Sequence, residues 1–438
     1  MEVGIFASVN DAIGFVRGAH ERYQTLSLED RCEIIEAIRR TLLEEIDVIA
    51  MLAVQETGMG NFADKKLKIE AAINKTPGLE DLVTDVKTGD RGMTLYELSG
   101  FGVVCTVEPV SSPAASLINH VIGLVAAGNA VVVCPNPRAV KTTTHVASLI
   151  SKAIVQSCGI DNLVVALDEM SIGKTEEVMH HPDVDMIICG AGHSALKEAF
   201  ACGKKVIGED HANSVALIDE TADLNAAAFD ISRSASFDNN LTHSSEKTLI
   251  CVKDAVAGFV SELSKNNVYV VKDEKECEKL SKAILTSDSV LKRRWIGKSA
   301  AEILDAYGIS HDKDVKLIVA PTDVHHPFVL EELRCPVLPL VVAETYEDAL
   351  QLMLDAEQRY KHTASIHSRN IDRLSEAAKV MQTAIFVKNG PALNGVGLFM
   401  QDSPFALTVA NATGEGPASA RHYTRRRKCI LTNGFSLR

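Results

Sequence analysis

Among the residues whose side chains could take part in catalysis, one histidine is the strongest candidate. His243 lies in a polar, turn-prone stretch, SFDNNLTHSSEK, between a predicted helix and the apolar run KTLICV. An imidazole can take up a proton or hold a polar group near neutral pH, which is the chemistry of a general base or a substrate contact. Asp238, Asn239 and Asn240 in the same stretch favour caps and turns, so the alternative is a purely structural loop.

Seven other histidines do not form a pattern typical of a metal site. They lie at positions 180, 181, 193, 211, 325, 326 and 362, without HxxxH or another ligand spacing. The ten cysteines are scattered without CxxC, mostly inside apolar runs such as VVVCP and MIICG. We therefore expect no metal and predict reduced thiols that are mostly buried.

Two turns could bind a nucleotide. Gly190, Gly192 and Ala195 form a GxGxxA pattern that follows an apolar run and opens a helix, and Glu209 and Asp210 follow it. This is the dinucleotide fingerprint, although glycines at such turns also serve close packing. The turn CPNP also follows an apolar run, and open α/β sheets bind ligands at the carboxyl ends of their strands. Both turns could face one cofactor.

These residues must be positioned by a repeated pattern of short apolar runs and helices. FGVVCTV, AVVVC, LVVAL, VDMIIC and KKVIG alternate with helical segments, and a second set follows with KTLICV, VKLIVA, PVLPLVVA, TASIHS and AIFV. Continuous Val/Ile runs between helices indicate parallel sheets buried on both faces. The fold class is therefore α/β with two doubly wound domains, preceded by helices that include a capped segment from Ser27 to Gly58.

The composition excludes several classes of partner. The 438 residues carry 45 Lys+Arg and 58 Asp+Glu, a net charge of −13, which disfavours nucleic acid and anionic membranes. The longest apolar stretch, LINHVIGLVAA, is too short for a membrane span, and no signal peptide precedes it. We expect a soluble, cytoplasmic protein.

Many segments, in one order, resemble a known family almost from end to end. They include GIFASVNDA, ETGMG, TPGLEDL, NHVIGLVAAGNAVVVCPNP, DETADL, HPFVLEELRCPVLPLV, HTASIHSRNI, IFVKNGP, TGEG and TRRRKC. The sequence is similar to the CoA-acylating aldehyde dehydrogenases of ethanolamine and propanediol utilisation. The resemblance implies that a cysteine attacks a small aldehyde, hydride passes to NAD, and CoA as co-substrate releases the thioester.

The resemblance also implies a domain layout and an assembly. We expect a cofactor-binding domain over residues 1–235, a catalytic α/β domain over 236–405 and a C-terminal arm over 406–438. An oligomerisation hairpin near residues 90–105 and the C-terminal strand would pair subunits into a homodimer or a dimer of dimers, or with a paralogue. The chain begins at GIFAS, without the family's N-terminal targeting helix, so entry into a protein-shelled microcompartment would depend on a partner.

The sequence departs from the family where the family does chemistry. His243 occupies the position of the catalytic cysteine, four residues before Lys247 of the EK pair, and Cys251 lies on the following strand. Ser112 stands at the position of the asparagine that stabilises the oxyanion. Segments 208–214 and 398–402 replace two glycine-rich loops of the family. These changes predict impaired thioester chemistry.

The resemblance assigns the cofactor residues by position. For NAD they are Asn136 and Pro137 after the second strand, Cys189 and Gly190 after the fourth, and Glu332, where the family holds the nicotinamide ribose. The alternative for Glu332 is a solvated carboxylate at a helix end.

Two interpretations of function follow. The protein is an aldehyde dehydrogenase-family oxidoreductase with altered chemistry, in which His243 acts as a base or a substrate contact. Alternatively, it is a catalytically degenerate relative that binds nucleotide or CoA, or assembles with an active paralogue.

Overall fold

The N-terminal part of the chain is helical, as its apolar spacing predicts. The computed structural model describes residues 3–434. Its first elements are β1 (Ile5–Phe6), α1 (Val9–Tyr23), α2 (Leu28–Glu44), α3 (Ile46–Thr57) and α4 (Phe62–Lys75). A capping box between Ser27 and Asp30 starts α2, and Gly58, with φ 65°, ends α3. The predicted helical segment from Ser27 to Gly58 is confirmed as two consecutive helices.

A β-hairpin and the first α/β unit follow. The elements are β2 (Asp85–Gly89), β3 (Gly92–Gly100), β4 (Val103–Val107), α5 (Pro113–Ala126), β5 (Ala130–Cys134), α6 (Val140–Cys158), β6 (Val164–Leu167), α7 (Ile172–His180), β7 (Met186–Cys189), α8 (His193–Ala201) and β8 (Lys205–Gly208). The first sheet has the order β1-β6-β5-β4-β7-β8, with every pair parallel. The chain leaves β4 toward β5 and later returns to its other side at β7. The carboxyl ends of β4, β5 and β7 therefore form the switch point where such sheets bind ligands.

The second α/β unit is a seven-stranded sheet. Its elements are β9 (Val215–Ile218), α9 (Leu224–Ser236), β10 (Thr248–Val252), α10 (Lys253–Leu263), β11 (Val268–Val270), α11 (Glu274–Ile284), α12 (Ala300–Ala306), β12 (Leu317–Thr322), α13 (Pro327–Leu330), β13 (Val337–Ala343), α14 (Tyr346–Glu357), β14 (Thr363–His367), α15 (Ile371–Met381) and β15 (Ile385–Lys388). The order β11-β12-β13-β10-β9-β14-β15 is parallel throughout. The predicted α/β class with two parallel sheets is confirmed.

The two sheets divide the chain at points other than the predicted domain boundaries. Strand β9 pairs with β10 and β14, so the change of sheet falls between β8 and β9 rather than at residue 235. Leu393, Val396, Leu398 and Phe405 belong to the hydrophobic core of the first unit, so the end of the predicted 236–405 domain packs on the first sheet. The repeated strand-helix pattern runs on unchanged at residue 215, and periodicity does not tell which sheet a strand joins.

The hairpin also differs from its predicted place. The chain ends with β16 (Val409–Ala410), β17 (Gly416–Pro417) and β18 (Thr424–Thr432), and residues 435–438 of the predicted arm lie outside the described part. β18 pairs antiparallel with β3, and β3 with β2. The hairpin is therefore β2–β3, not residues 90–105, because the continuously buried run VVCTV forms the centre of the first sheet as β4.

In the part of the chain that the structure describes, no helix combines the length and apolar character that crossing a bilayer requires.

Candidate active site

A cleft of about 570 Å³ lies between the two sheets. One wall comes from the first unit, and consists of residues 109–111 after β4, Asn136 after β5, and residues 190–194 after β7. The other wall comes from loops of the second unit, and consists of residues 209–212, His243, Arg293, residues 330–332, Arg334 and Tyr360. The cleft therefore combines the predicted nucleotide turn with the predicted polar loop.

Sheet topology explains why these loops meet. The loops that carry residues 209–212, His243, Glu332 and Tyr360 precede β9, β10, β13 and β14, respectively, and these four strands are neighbours in the second sheet. Since parallel strands start at the same edge, their preceding loops converge there. The first sheet presents its carboxyl edge opposite them, at its switch point.

The loop that carries His243 has an unusual backbone. Asp238, Asn239 and Asn240 have φ values of 48°, 55° and 61°, and Asp and Asn tolerate this left-handed region better than other non-glycine residues. The amide of Asn239 donates to the carbonyl of Gly297 at 2.8 Å, and Asn240 donates to the carbonyl of Glu246 at 3.1 Å. The turn-forming role of these residues is confirmed, and the turn presents His243 to the cleft.

Buried charges hold the same loop in place. The Asp238 carboxylate accepts hydrogen bonds from Lys65 Nζ at 2.9 Å and Lys68 Nζ at 2.5 Å, and all three side chains are buried. Burial lowers the pKa of Lys65 to about 8, although the neighbouring Asp238 charge opposes the shift. A second carboxylate, that of Asp64, accepts from the backbone N–H of Asp238 at 2.8 Å and also favours the charged form of Lys65, so two lysines face two carboxylates beneath the loop.

Ser112 takes part in this buried cluster. Its Oγ accepts a hydrogen bond from Lys68 Nζ at 2.7 Å, and the residue is only 8% exposed at the start of α5. Its neighbour Ser111 lines the cleft. The predicted oxyanion position is therefore close to the cleft in sequence, but its hydroxyl is engaged by a buried ammonium group.

His243 forms an ion pair inside the cleft. Its Nδ1 lies 2.6 Å from Oε1 of Glu332, and the side chains are 27% and 12% exposed. Burial would lower the pKa of His243, but the charge of Glu332 and its hydrogen bond raise that pKa above the usual value. Although burial opposes it, the pairing lowers the pKa of Glu332 to about 2. A carboxylate at Nδ1 orients the imidazole and leaves Nε2 for other partners.

Comparisons with known proteins decide the family. The sequence model of the aldehyde dehydrogenase family matches residues 6–400. The chain belongs to the aldehyde dehydrogenase family. It is 40% identical over 436 residues to a propanal dehydrogenase (CoA-propanoylating) of Citrobacter freundii, an alignment that covers 99% of this chain and 94% of that protein.

Two solved aldehyde dehydrogenases share its overall structure. A propionaldehyde dehydrogenase of Rhodopseudomonas palustris, with bound CoA and an acylated cysteine, has a TM-score of 0.97 at 38% identity and covers 99% of both chains. That enzyme has also been solved with bound propionyl-CoA. A propionaldehyde dehydrogenase from the fucose utilisation bacterial microcompartment of Clostridium phytofermentans has a TM-score of 0.97 at 34% identity and covers 100% of both.

Among the described residues that line the cleft of this family member, none carries a thiol. All ten cysteines lie within the described residues 3–434, and none is among those that line the cleft. Cys251, the cysteine nearest to His243 in sequence, is buried in β10, and burial raises the pKa of its thiol to about 12. A buried, protonated thiol is a poor nucleophile.

The cofactor residues predicted for this member of the family divide into two groups. Asn136 and Gly190 line the cleft, and Pro137 lines an adjoining pocket of about 290 Å³ that Asn136 shares. Cys189, in contrast, is fully buried at the end of β7, and burial raises the pKa of its thiol to about 12. Its carbonyl accepts from the Glu209 amide. Strand alternation directs the Cys189 side chain into the core, so the predicted cofactor contact at this residue stays a prediction that its burial does not support.

Glu332 is not the solvated helix-end carboxylate of the alternative interpretation. It is mostly buried and paired with His243. A nicotinamide ribose bound to Glu332 would have to compete with that imidazole, so the predicted ribose contact requires the ion pair to open.

Sequence spacing missed two further groupings at the cleft. His193 and His211, with the carboxylate of Asp210 beside them, place their ligand atoms within 4.8 Å of one another, although no histidine spacing suggested a metal site. The buried His362 pairs with the carboxylate of Glu209 at 2.9 Å. Within either grouping, only Asp210 and His211 are neighbours in the sequence. The remaining residues of each grouping come from distant segments, so their spacing carries no signal of the grouping.

The His243–Glu332 pair predicts a measurable change in titration. In the Glu332→Gln variant the carboxylate charge is lost, so the pKa of His243 should fall below its wild-type value, which the charge and hydrogen bond of Glu332 raise above the usual range. NMR titration of the imidazole protons measures this shift. Glu331→Gln, the same change at the next residue in the cleft wall, is the control and should move the midpoint far less. An unchanged midpoint in Glu332→Gln would contradict the ion pair.

Proposed function

We propose that this protein binds a short aldehyde or acyl group, CoA and NAD in the cleft between its sheets, as a relative of the acylating aldehyde dehydrogenases in which cysteine-dependent acyl transfer is impaired. One observation carries this proposal. The loop before β10 presents His243, paired with Glu332, to a cleft that none of the cysteines in the described residues lines. Without a thiolate, an enzyme thioester has no nucleophile with which to form.

The cleft keeps features suited to a nucleotide or CoA. The turn from Gly190 to Gly192 leads into the first turn of α8, where backbone N–H groups favour phosphate. Asn136 lies at the border between the main cleft and the adjoining pocket. The similar Rhodopseudomonas palustris enzyme binds CoA and propionyl-CoA, which supports the same class of ligand here.

We also propose that the three-stranded sheet β18-β3-β2 pairs subunits. Its outer strands carry exposed apolar side chains, namely Val86, Ile430 and Leu431, and an uncovered edge strand tends to pair with another chain. A homodimer or dimer of dimers would cover them. A paralogue with the same edge could join such an assembly and bring the protein into a microcompartment.

Binding calorimetry tests the proposed ligands. We expect heat and a thermal shift with millimolar CoA, propionyl-CoA or NAD. Ser194→Glu places a new carboxylate in the first turn of α8, at a residue that lines the cleft. By repelling phosphate it should weaken binding at least about 10-fold. The variant should still fold, because an acidic residue is favourable at the start of a helix. Ser375→Glu on the exposed face of α15 is the matched control. Absence of both heat and thermal shift in the wild type would refute the proposal.

A further inference from the structure

We propose that His243 and Glu332 form a general-base pair that activates water for the hydrolysis of acyl-CoA thioesters. This inference rests on the proposed function, because the thioester must first enter the cleft. His243 would be the catalytic residue, and Glu332 a positioning residue that acts through the imidazole.

The geometry supplies an oriented base. Nδ1 of His243 is held by the Glu332 carboxylate at 2.6 Å, and Ser214 Oγ donates to the His243 carbonyl at 2.7 Å, so both ring and backbone are fixed. Among the contacts of the described residues, Nε2 of His243 has no hydrogen-bond partner, and the side chain lines the cleft. An imidazole held by a carboxylate at one nitrogen, with the other nitrogen free, is the arrangement that abstracts protons in hydrolases.

The surrounding charges influence the protonation of His243. Glu332 and Glu209 favour the charged imidazole, while burial and Arg334 oppose it. The ring of His362 lies 6.2 Å away, centroid to centroid, and pairs with Glu209. Lys247 acts on the group through Glu332, whose charge it stabilises. Because only the neutral ring accepts a proton, hydrolysis should increase as pH rises through the pKa of His243.

The reaction balances without a redox partner. Nε2 of His243 takes a proton from water while the water oxygen forms a bond to the thioester carbonyl carbon. The tetrahedral intermediate then collapses, the C–S bond breaks, and the imidazolium returns the proton to the leaving sulfur. The products are a carboxylic acid and CoA thiol, and His243 is neutral again.

Release of CoA thiol from propionyl-CoA, followed with a thiol reagent, tests the proposal in the full-length protein. We expect steady release in the wild type and a loss of at least about 100-fold in His243→Gln. His311→Gln is the matched control, since His311 also pairs with a carboxylate, that of Asp305 at 3.1 Å, but is not among the residues of the cleft. It should keep the wild-type rate.

The pH dependence of the hydrolysis rate shows whether Glu332 positions the imidazole of His243 or only supports the fold. In Glu332→Gln we expect a lower rate and an acid limb displaced to lower pH, because the pKa of His243 falls with the carboxylate charge. A role in folding alone would lower the rate without moving that limb. An unmoved limb would overturn the role of Glu332.

Parallel calorimetry with propionyl-CoA distinguishes the possible failures. If the wild type binds propionyl-CoA but hydrolyses it no faster than His243→Gln does, the general-base pair is overturned and the proposed function stands. Absence of binding and of hydrolysis overturns both. A third outcome is hydrolysis that a chelator abolishes, that is lost in His193→Ala and that persists in His243→Gln. This outcome would assign the activity to a metal at His193, Asp210 and His211 and would also overturn the proposal. Retained propionyl-CoA binding by His243→Gln shows that this variant is folded.

Discussion

Purified protein supplied with propanal, CoA and NAD should form NADH about a millionfold more slowly than a relative that has the cysteine, which is the scale expected when the nucleophile of a coupled catalytic set is removed. Of the described residues that line the cleft, His243 is present and none is a cysteine, and an aldehyde adduct of imidazole is labile and partly cationic. Hydride transfer from such an adduct is therefore disfavoured.

Absorbance of NADH and intact-protein mass spectrometry measure this outcome. A CoA-propanoylating propanal dehydrogenase such as that of Citrobacter freundii serves as the positive control under the same conditions. Steady NADH production with CoA, or an acyl group on Cys251, would contradict the prediction. The second result would require β10 to open, since Cys251 is fully buried there.

Restoring the cysteine alone should not restore aldehyde oxidation. His243→Cys supplies a thiol at the position where the resemblance places the nucleophile. Ser112, at the position predicted for the oxyanion donor, remains too short, since such a donor must lie about 2.7–3.1 Å from the oxyanion. An asparagine amide at this position supplies both an acceptor and a donor. Its oxygen can accept from Lys68 as the Ser112 hydroxyl does, while its NH₂ group donates into the cleft. Removal of one such donor typically costs about 10²–10³ in rate.

The increase in the rate of NADH production in the double variant His243→Cys/Ser112→Asn should therefore exceed the product of the increases in the two single variants. His243→Cys/Ser111→Asn is the matched control, since Ser111 is the neighbouring serine and lines the cleft. Full activity in His243→Cys by itself would show that the remaining pocket is intact and would sink the prediction.

The two altered loops affect this repair differently. Residues 209–212 line the cleft and could still obstruct CoA. In segment 398–402, Phe399 instead packs against Phe237, with ring centroids 5.5 Å apart, and lines a separate depression. Obstruction is therefore expected from the first loop only.

The sequence by itself determined the elements and the family. Apolar runs such as VVCTV and AVVVC became buried parallel strands, and the Asp-Asn-Asn stretch became a left-handed turn. These features depend on contacts between near neighbours in the chain, which periodicity and turn chemistry express directly. The position of His243 in the polar loop was visible for the same reason.

Only the tertiary structure decided which groups act together. Glu332 lies 89 residues from His243, and Lys68 lies 44 residues from Ser112, so neither pair has a local signature. The same holds for His193 with Asp210, for the burial of Cys189, and for the sheet that β9 joins. Strand order brings separated loops to one edge, and strand order follows from the packing of whole sheets and helices, a property of the complete chain that no single segment encodes.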